Sequence, residues 1–279
     1  MKFEKKIDFA ALVSVTNANP NGDPLNGNRP RTDYKGFGEM TDVCIKRKIR
    51  NRLQDMGQDI FVQSDDRRSD ACISLKDRAK FLEKIKQQDE FARVACEKWL
   101  DVRAFGQVFT FKGFGCASVG VRGPVSIHQA VSVDPVDAYS VQITKSVSSE
   151  RKNESERSSD TMGMKHFVRF GLYKIKGSIN VQLAEKTGFT CEDAQLIKEA
   201  LRTLFVNDAS AARPDGSMEV IRVYWWEHNC KDGQHSSAKV HRLLHATLKS
   251  DVDTPTSIND YEIRLDTLPG LSCEELEGL

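Results

Sequence analysis

The chain has 279 residues, 39% of them hydrophobic and 29% charged, the composition of one elaborated globular domain or two closely joined ones. Its formal net charge is only +1, so bulk charge does not announce a polyanion ligand. No run of eighteen apolar residues is present to suggest a membrane span.

The first predicted element is a strand in which Phe9, Ala11, Val13 and Val15 alternate with other residues. It stops at Asn17-Ala18-Asn19-Pro20-Asn21-Gly22-Asp23-Pro24, a stretch dense in turn formers. The loop then continues through Asn26-Gly27-Asn28-Arg29-Pro30-Arg31 to Gly36-Phe37-Gly38, a length that favours a functional or mobile segment. Thr41 is placed to cap a helix running to about Asp55, with Ile45, Ile49, Leu53 and Met56 on one face. Lys46, Arg47 and Arg50 flank that face on one side, Lys48 and Arg52 on the other. From Gly57 to about Arg103 the pattern is helical and charged, with Phe81, Leu82, Ile85, Phe91, Val94, Ala95, Trp99 and Leu100 as its apolar positions. Val108 to Val125 reads as strands interrupted by glycines.

Lys145 to Asp160 is polar, of mixed charge and serine-rich, as expected of an exposed, flexible tip. It lies between two strand-like runs, Val141–Thr144 and His166–Phe170, so a protruding hairpin is expected. Tyr173, Ile175, Gly177, Ile179, Val181 and Leu183 alternate with polar residues as in a half-buried strand. Thr190 and Asp193 open a helix with Ile197, Ala200, Leu201 and Leu204 on one face. A last strand covers Val220 to Trp226. Its consecutive Trp225 and Trp226 must face opposite sides, one toward the core and one toward an interface. Strand–helix near the front and strand–helix–strand near the back suggest a split, ferredoxin-like α+β fold.

Charge is unevenly distributed. Pro24 to Arg52 holds eight Lys or Arg against three acids, and Asp251 to the end holds eight acids against one Arg. Such asymmetry suits a polyanion binder, or a protein that stacks head to tail on copies of itself, the acidic tail meeting a neighbour's basic front. The N-terminal Met1–Lys6 lacks the apolar core of a signal peptide. The seven cysteines are scattered singly with no Cys-x-x-Cys, so reduced thiols and a cytoplasmic location are expected.

Four segments in order resemble one family. They are Asn17–Pro24 through Arg29–Asp33 with Thr41–Arg50; Asp101–Gly106; Thr161–His166 leading to Gly171-Leu172-Tyr173; and Asp208–Arg213. Each alone is weak, and their joint order is specific. The set resembles the backbone subunit of the type I-C (Csd-type) CRISPR Cascade complex, of the repeat-associated RNA-binding superfamily. The resemblance implies an RRM/ferredoxin-like palm (1–56 and 170–279), a helical finger insertion (57–140) and a β-hairpin thumb (141–169). It also implies copies that polymerise as a helical filament on CRISPR RNA, kink it with the thumb and support pairing with target DNA, alongside other Cascade subunits. No cofactor is implied, and the type I members are not catalytic.

The expected RNA contacts follow from the need for cations and close backbone approach at phosphates. In the front loop they are Asn19, Asn21, Gly22, Arg29 and Arg31. Some relatives carry an Arg where Gly22 stands, so that contact is absent or made by backbone here. Lys46, Arg47 and Arg50 on the helix, with Arg213, add cations. The resemblance also implies a wedge under a kinked base step, in the region of Phe105, Gly106, Gln107 and Val108. Ile143, Thr144 and Lys145, with Met164, Lys165 and His166 on the return strand, form the thumb contacts. Phe170 and Tyr173 are candidates for base stacking.

The competing chemistry is a metal-dependent endoribonuclease using a loop acid, Asp23 or Asp33, although these residues equally suit turn caps or partners for Arg29 and Arg31. His228, Cys230 and His235 are the conceivable zinc ligands, on spacing too poor to favour a metal site. Walker, Gly-x-Ser-x-Gly and Rossmann motifs are absent.

Overall fold

The computed structural model describes residues 1–144 and 162–279. The first strand, β1 (Ile7–Ala18), is the centre of the fold. It runs into a small ribbon of β2 (Gly22–Asp23) and β3 (Arg29–Pro30), then into β4 (Phe37–Met40). Helix α1 (Asp42–Asp55) follows, opened as expected by Thr41, whose hydroxyl accepts from Cys44 N at 3.2 Å. The insertion carries α2 (Leu75–Arg78), α3 (Gln88–Lys98), α4 (Leu100–Phe105), β5 (Gly106–Phe109) and β6 (Val119–Arg122). Next come β7 (Val125–Ile127), β8 (Ala130–Pro135), β9 (Ala138–Thr144) and the 18-residue β10 (Met162–Ile179). Helices α5 (Val181–Thr187) and α6 (Cys191–Arg202) precede β11 (Met218–Glu227). The chain closes with α7 (Ser237–His241), β12 (Leu244–Leu248), β13 (Tyr261–Leu265) and β14 (Glu274–Glu277).

The main sheet is antiparallel, in the order β14-β11-β1-β10-β8-β4, with β7 and β9 also pairing to β10. Residues 125–135, which the sequence division leaves with the insertion, therefore belong to this sheet. On one face Phe9, Ala11, Val13 and Val15 pack with Ile45, Ile49 and Leu53 of α1 and Ile197, Ala200 and Leu201 of α6. On the other face Ala10, Leu12, Leu172, Tyr224 and Trp226 lie under Val240, Leu243, Leu244, Tyr261 and Leu271. Covering both faces is why β1 is buried continuously from Ile7 to Val15 and not only at alternate positions.

Several expectations change. The strand pattern through Leu183 ends at Ile179, because Asn180 caps α5 by accepting from Leu183 N at 2.8 Å, placing Val181 and Leu183 on a helix. Both tryptophans are core, Trp225 on the α1/α6 face and Trp226 on the other. Residues 57–74 are irregular apart from one 3₁₀ turn at Asp65–Arg67, not helical. Side chains satisfy the backbone there. Asp101 accepts from Phe61 N at 2.7 Å and Val62 N at 3.1 Å, and Arg78 donates to Phe61 O at 2.7 Å. The insertion has its own aromatic core, in which Phe61 meets Trp99 at 4.6 Å and Phe109 at 5.1 Å between ring centroids.

The acidic C-terminal stretch is built into the fold. Strand β14 is an edge of the main sheet, with Glu274 bonded to Lys198 at 2.7 Å and Glu275 to Arg222 at 3.0 Å. Glu274 and Glu275 thus pair with cations of their own chain. All seven cysteines are unbridged. Among the described residues no helix is long and apolar enough to cross a membrane.

Candidate nucleic-acid interface

The front loop folds back on itself through its asparagines. Gly27 and Asn28 take left-handed backbone (φ 58° and 59°), a conformation suited to these two residue types. Asn19 Nδ2 donates to Asn28 O at 2.7 Å, and Arg31 N donates to Asn21 O at 3.0 Å. Asn21 Oδ1 accepts from Thr41 N at 2.9 Å, which ties the loop to the start of α1. Asn19 N donates to Ala212 O at 2.9 Å, which ties it to the turn Asp208–Arg213. Asn19 and Asn21 thus shape the loop. A side chain on Gly22 would run into that of Asn28, so an Arg there needs a rearranged loop.

Two of the family-like segments, far apart in sequence, therefore meet. At their junction Lys48 of α1 is buried against Asp208, and Arg213 Nε lies 3.4 Å from the same carboxylate. Burial pushes the Lys48 ammonium below its ordinary value, and Asp208 opposes the shift. Arg31 is 3.3 Å from Asp23. Among the described residues, Arg31 Nε, Arg213 Nε, Asn19 Oδ1 and Ser217 Oγ are buried without a hydrogen-bond partner. These four atoms lie on the loop or on the neighbouring segment from Asp208 to Ser217. Arg29 is exposed at the tip beside Leu25, which is almost fully exposed.

The cations of α1 are not the solvated flanks that their spacing suggests. Lys46 bonds Asp42 at 2.9 Å. Arg47 donates to Val62 O at 2.6 Å, and burial lowers its pKa. Arg50 Nε bonds the buried Asp101 at 2.9 Å, with its guanidinium 5.1 Å from the centre of the Phe105 ring. Phe105 is half-buried at the edge of the main core, whereas Val108 on β5 is 62% exposed. Gly106 has φ 80° and abuts the backbone of Val121 and Gly123, so no side chain fits there. Gln107 donates to Val108 O at 2.9 Å.

The arm is the hairpin of β9 with the first part of β10, paired from Met162↔Thr144 to Val168↔Ala138. Directly opposed residues share a face. Ile143 and Lys165 therefore lie on one side, and Thr144, Met164 and His166 on the other. Ile143, Met162 and Met164 are exposed, and His166 Nδ1 lies 2.8 Å from Ser140 Oγ. Lys145 lies outside the described residues. The arm's base is braced: Tyr139 Oη donates to Asn17 Oδ1 at 3.0 Å, and Arg169 sits 4.6 Å from the Tyr139 ring centre while bonding Asp137 at 2.8 Å. Sequence reading missed Tyr139 as a link from arm to loop, since nothing local marks it. The buried Asp101 did carry a signal, an acid within an otherwise apolar run.

Phe170 and Tyr173 are not stacking platforms. Phe170 is buried under the C-terminal segment and Tyr173 on the helix face. The acids proposed for catalysis are engaged in turns. Asp23 accepts from Leu25 N at 3.2 Å, and Asp33 accepts from Lys35 N and Phe37 N at 2.8 and 2.9 Å. His228 is buried with both ring nitrogens used, Nε2 on Asp8 at 2.8 Å and Nδ1 accepting from Gln234 N at 3.0 Å. No group of three potential metal ligands occurs among the described residues.

Residues 5–266 match the family described as CRISPR-associated protein Cas7, and the chain belongs to that family. It is 39% identical over 107 residues to the CRISPR-associated protein Cas7 of Haloferax volcanii (strain ATCC 29605 and its equivalents), covering 36% of this chain. The match spans 31% of that relative's length. Among solved structures, the chain resembles a subunit of a "CRISPR RNA-guided surveillance complex, pre-nicking" at 17% identity and TM-score 0.48, over 85% of this chain and 81% of that one. A second "CRISPR RNA-guided surveillance complex" gives 17% identity and TM-score 0.46, over 85% and 74%.

Proposed function

We propose that this chain is a non-catalytic, RNA-coating backbone subunit of a type I-C Cascade complex. It polymerises head to tail along CRISPR RNA and presents the guide for pairing with target DNA. The observation that carries this reading is the convergence of the front loop, with its exposed Arg29, on the Asp208–Arg213 turn. Guanidinium groups and free loop backbone are the means by which proteins hold phosphates without reading sequence.

In this reading the sheet segment β11-β1-β10-β7, backed by α1 and α6, is the RRM/ferredoxin-like palm. Residues 57–124 supply the finger, and the hairpin that starts at Ala138 and returns along β10 to Val168 supplies the thumb. The order of those four strands is that of a split βαβ fold, which supports the palm assignment. The exposed Met162 and Met164 give one face of the arm an apolar surface suited to displacing a base, Ile143 lies on the other face, and Val108 suits the wedge position. Arg29, Arg31 and Arg213 supply the main phosphate contacts. Arg50, Lys46 and Arg47 chiefly position α1 and its neighbours.

The test is binding of the full chain to a labelled CRISPR RNA as salt is raised, with electron microscopy of the product. Filaments are expected. Arg29→Ala with Arg31→Ala should weaken binding to all sequences alike and make the slope of log K against log salt shallower by about 0.7 per lost contact. Binding that is sequence-selective, or unaffected by both changes, would sink the assignment.

A further inference from the structure

The sheet face opposite α1 and α6 is not fully covered. Near its β8 edge a groove of about 260 Å³ remains between β8, β10 and β12, lined by Gln129, Val131, Val133, Lys174, Lys176 and Ala246. Lys174 and Lys176 are alternate residues of β10, so both side chains lie on this face, about 7 Å apart along the strand. Each is half-buried. Lys174 Nζ donates to Leu244 O at 2.6 Å, which holds the ammonium in place and leaves its other protons unused by that bond. Burial, then the charge of Lys176, lowers the Lys174 pKa, and no carboxylate contributes. The same Lys176 charge acts against protonation of His241, whose ring packs edge-on to that of His128 at 5.8 Å.

Four buried or half-buried cations elsewhere in the fold differ. Lys48, Arg50, Arg78 and Arg103 each have a carboxylate. Among the described residues neither ammonium forms a salt bridge, and two adjacent, partly desolvated ammoniums repel each other, a cost that a doubly charged oxyanion between them would reverse. The site is also distinct from the front loop. The loop leaves the sheet where Ala18 pairs with Val168. Lys174 lies six residues further along β10, roughly 20 Å away.

The geometry points to a phosphate-binding site in this groove, in which Lys174 and Lys176 hold the oxyanion and the Gln129 amide closes one end. Phosphate fits better than a lone carboxylate because its second negative charge matches the second ammonium. The site is independent of the guide-binding reading and would take either a free phosphate compound or the backbone of a nucleic-acid strand.

The full chain, and the Arg29→Ala/Arg31→Ala variant, are to be titrated at low salt with inorganic pyrophosphate and with a fluorescent single-stranded 20-nucleotide DNA. Each is repeated with Lys176→Gln and with Lys176→Arg. Pyrophosphate should raise the melting temperature of the parent and of the arginine variant alike, with the rise lost in Lys176→Gln and kept in Lys176→Arg. If a strand is the ligand, Lys176→Gln should also weaken DNA binding at least threefold in the arginine-variant background. A pyrophosphate response without that loss assigns the site to a free phosphate compound. Pyrophosphate and DNA responses both unmoved by Lys176→Gln overturn the proposal, as does no response to either probe. Equal protection by polyglutamate at matched charge overturns it in favour of an acidic peptide. Should Lys176→Gln not fold, Lys176→Met serves in its place. Loss of guide RNA binding in the arginine variant bears only on the front loop.

Discussion

The cations of the front loop and those of α1 look alike as a sequence and behave differently in the fold. Arg29 sits exposed on a short ribbon held by asparagine side chains and backbone, and Arg31 beside it pairs with Asp23 of that same ribbon. Lys48 and Arg50 sit on a helix wedged between the sheet and the insertion, and buried carboxylates from distant segments claim them. A charged helix face is therefore a poor guide to a binding surface when acids lie elsewhere in the chain.

That contrast can be broken by mutation. The largest effect is expected from Asp208→Ala, which strands Lys48 in the core. Breaking a buried pair from one side costs about 3–5 kcal/mol, read as a lowered denaturation midpoint. Lys48→Met with Asp208→Leu should recover much of it. Asp101→Asn should cost about 2 kcal/mol, since it removes the charge that Arg50 and two backbone N–H groups share. If either carboxylate can be removed without loss, α1 is not anchored as described.

Smaller effects sharpen the picture. Arg78 holds the Asp70 carboxyl at about 2, well below its ordinary value. A depressed carboxyl stabilises the fold above its unfolded-state pKa, and that contribution fades as pH falls from about 4 toward 2. Asp70→Asn should flatten the acid side of the stability profile over that window. Smallest of all, Arg29→Ala with Arg31→Ala should move stability by no more than about 0.5 kcal/mol while weakening RNA binding. A large stability loss there would make the loop arginines structural like those of α1.

Much of this was legible in the sequence. The capping residues Thr41 and Thr190 with Asp193 announced α1 and α6, and alternation announced β1 and the later part of β10. Alternation could not show that the second face of β1 is also covered, because residues from Val240 to Leu271 do that, over two hundred positions away. It also ran past Ile179, since Val181 and Leu183 keep a period of two by chance while Asn180 begins a helix. The loop residues of the candidate interface were readable from their glycines, asparagines and arginines. Their junction with Asp208–Arg213, and the conversion of Arg50 into an anchor, depend on long-range contacts that local pattern does not encode.

Strand β10 belongs to two structures at once. Its last twelve residues, from Val168, lie against β1, and its first six extend beyond it with β9 alone. A beam clamped along most of its length and free at one end bends as a cantilever. A load on the exposed methionines is thus carried along a continuous main chain into the centre of the sheet, and not absorbed by a hinge. Deflection of that tip and strain at Tyr139 and Asn17 should rise and fall together.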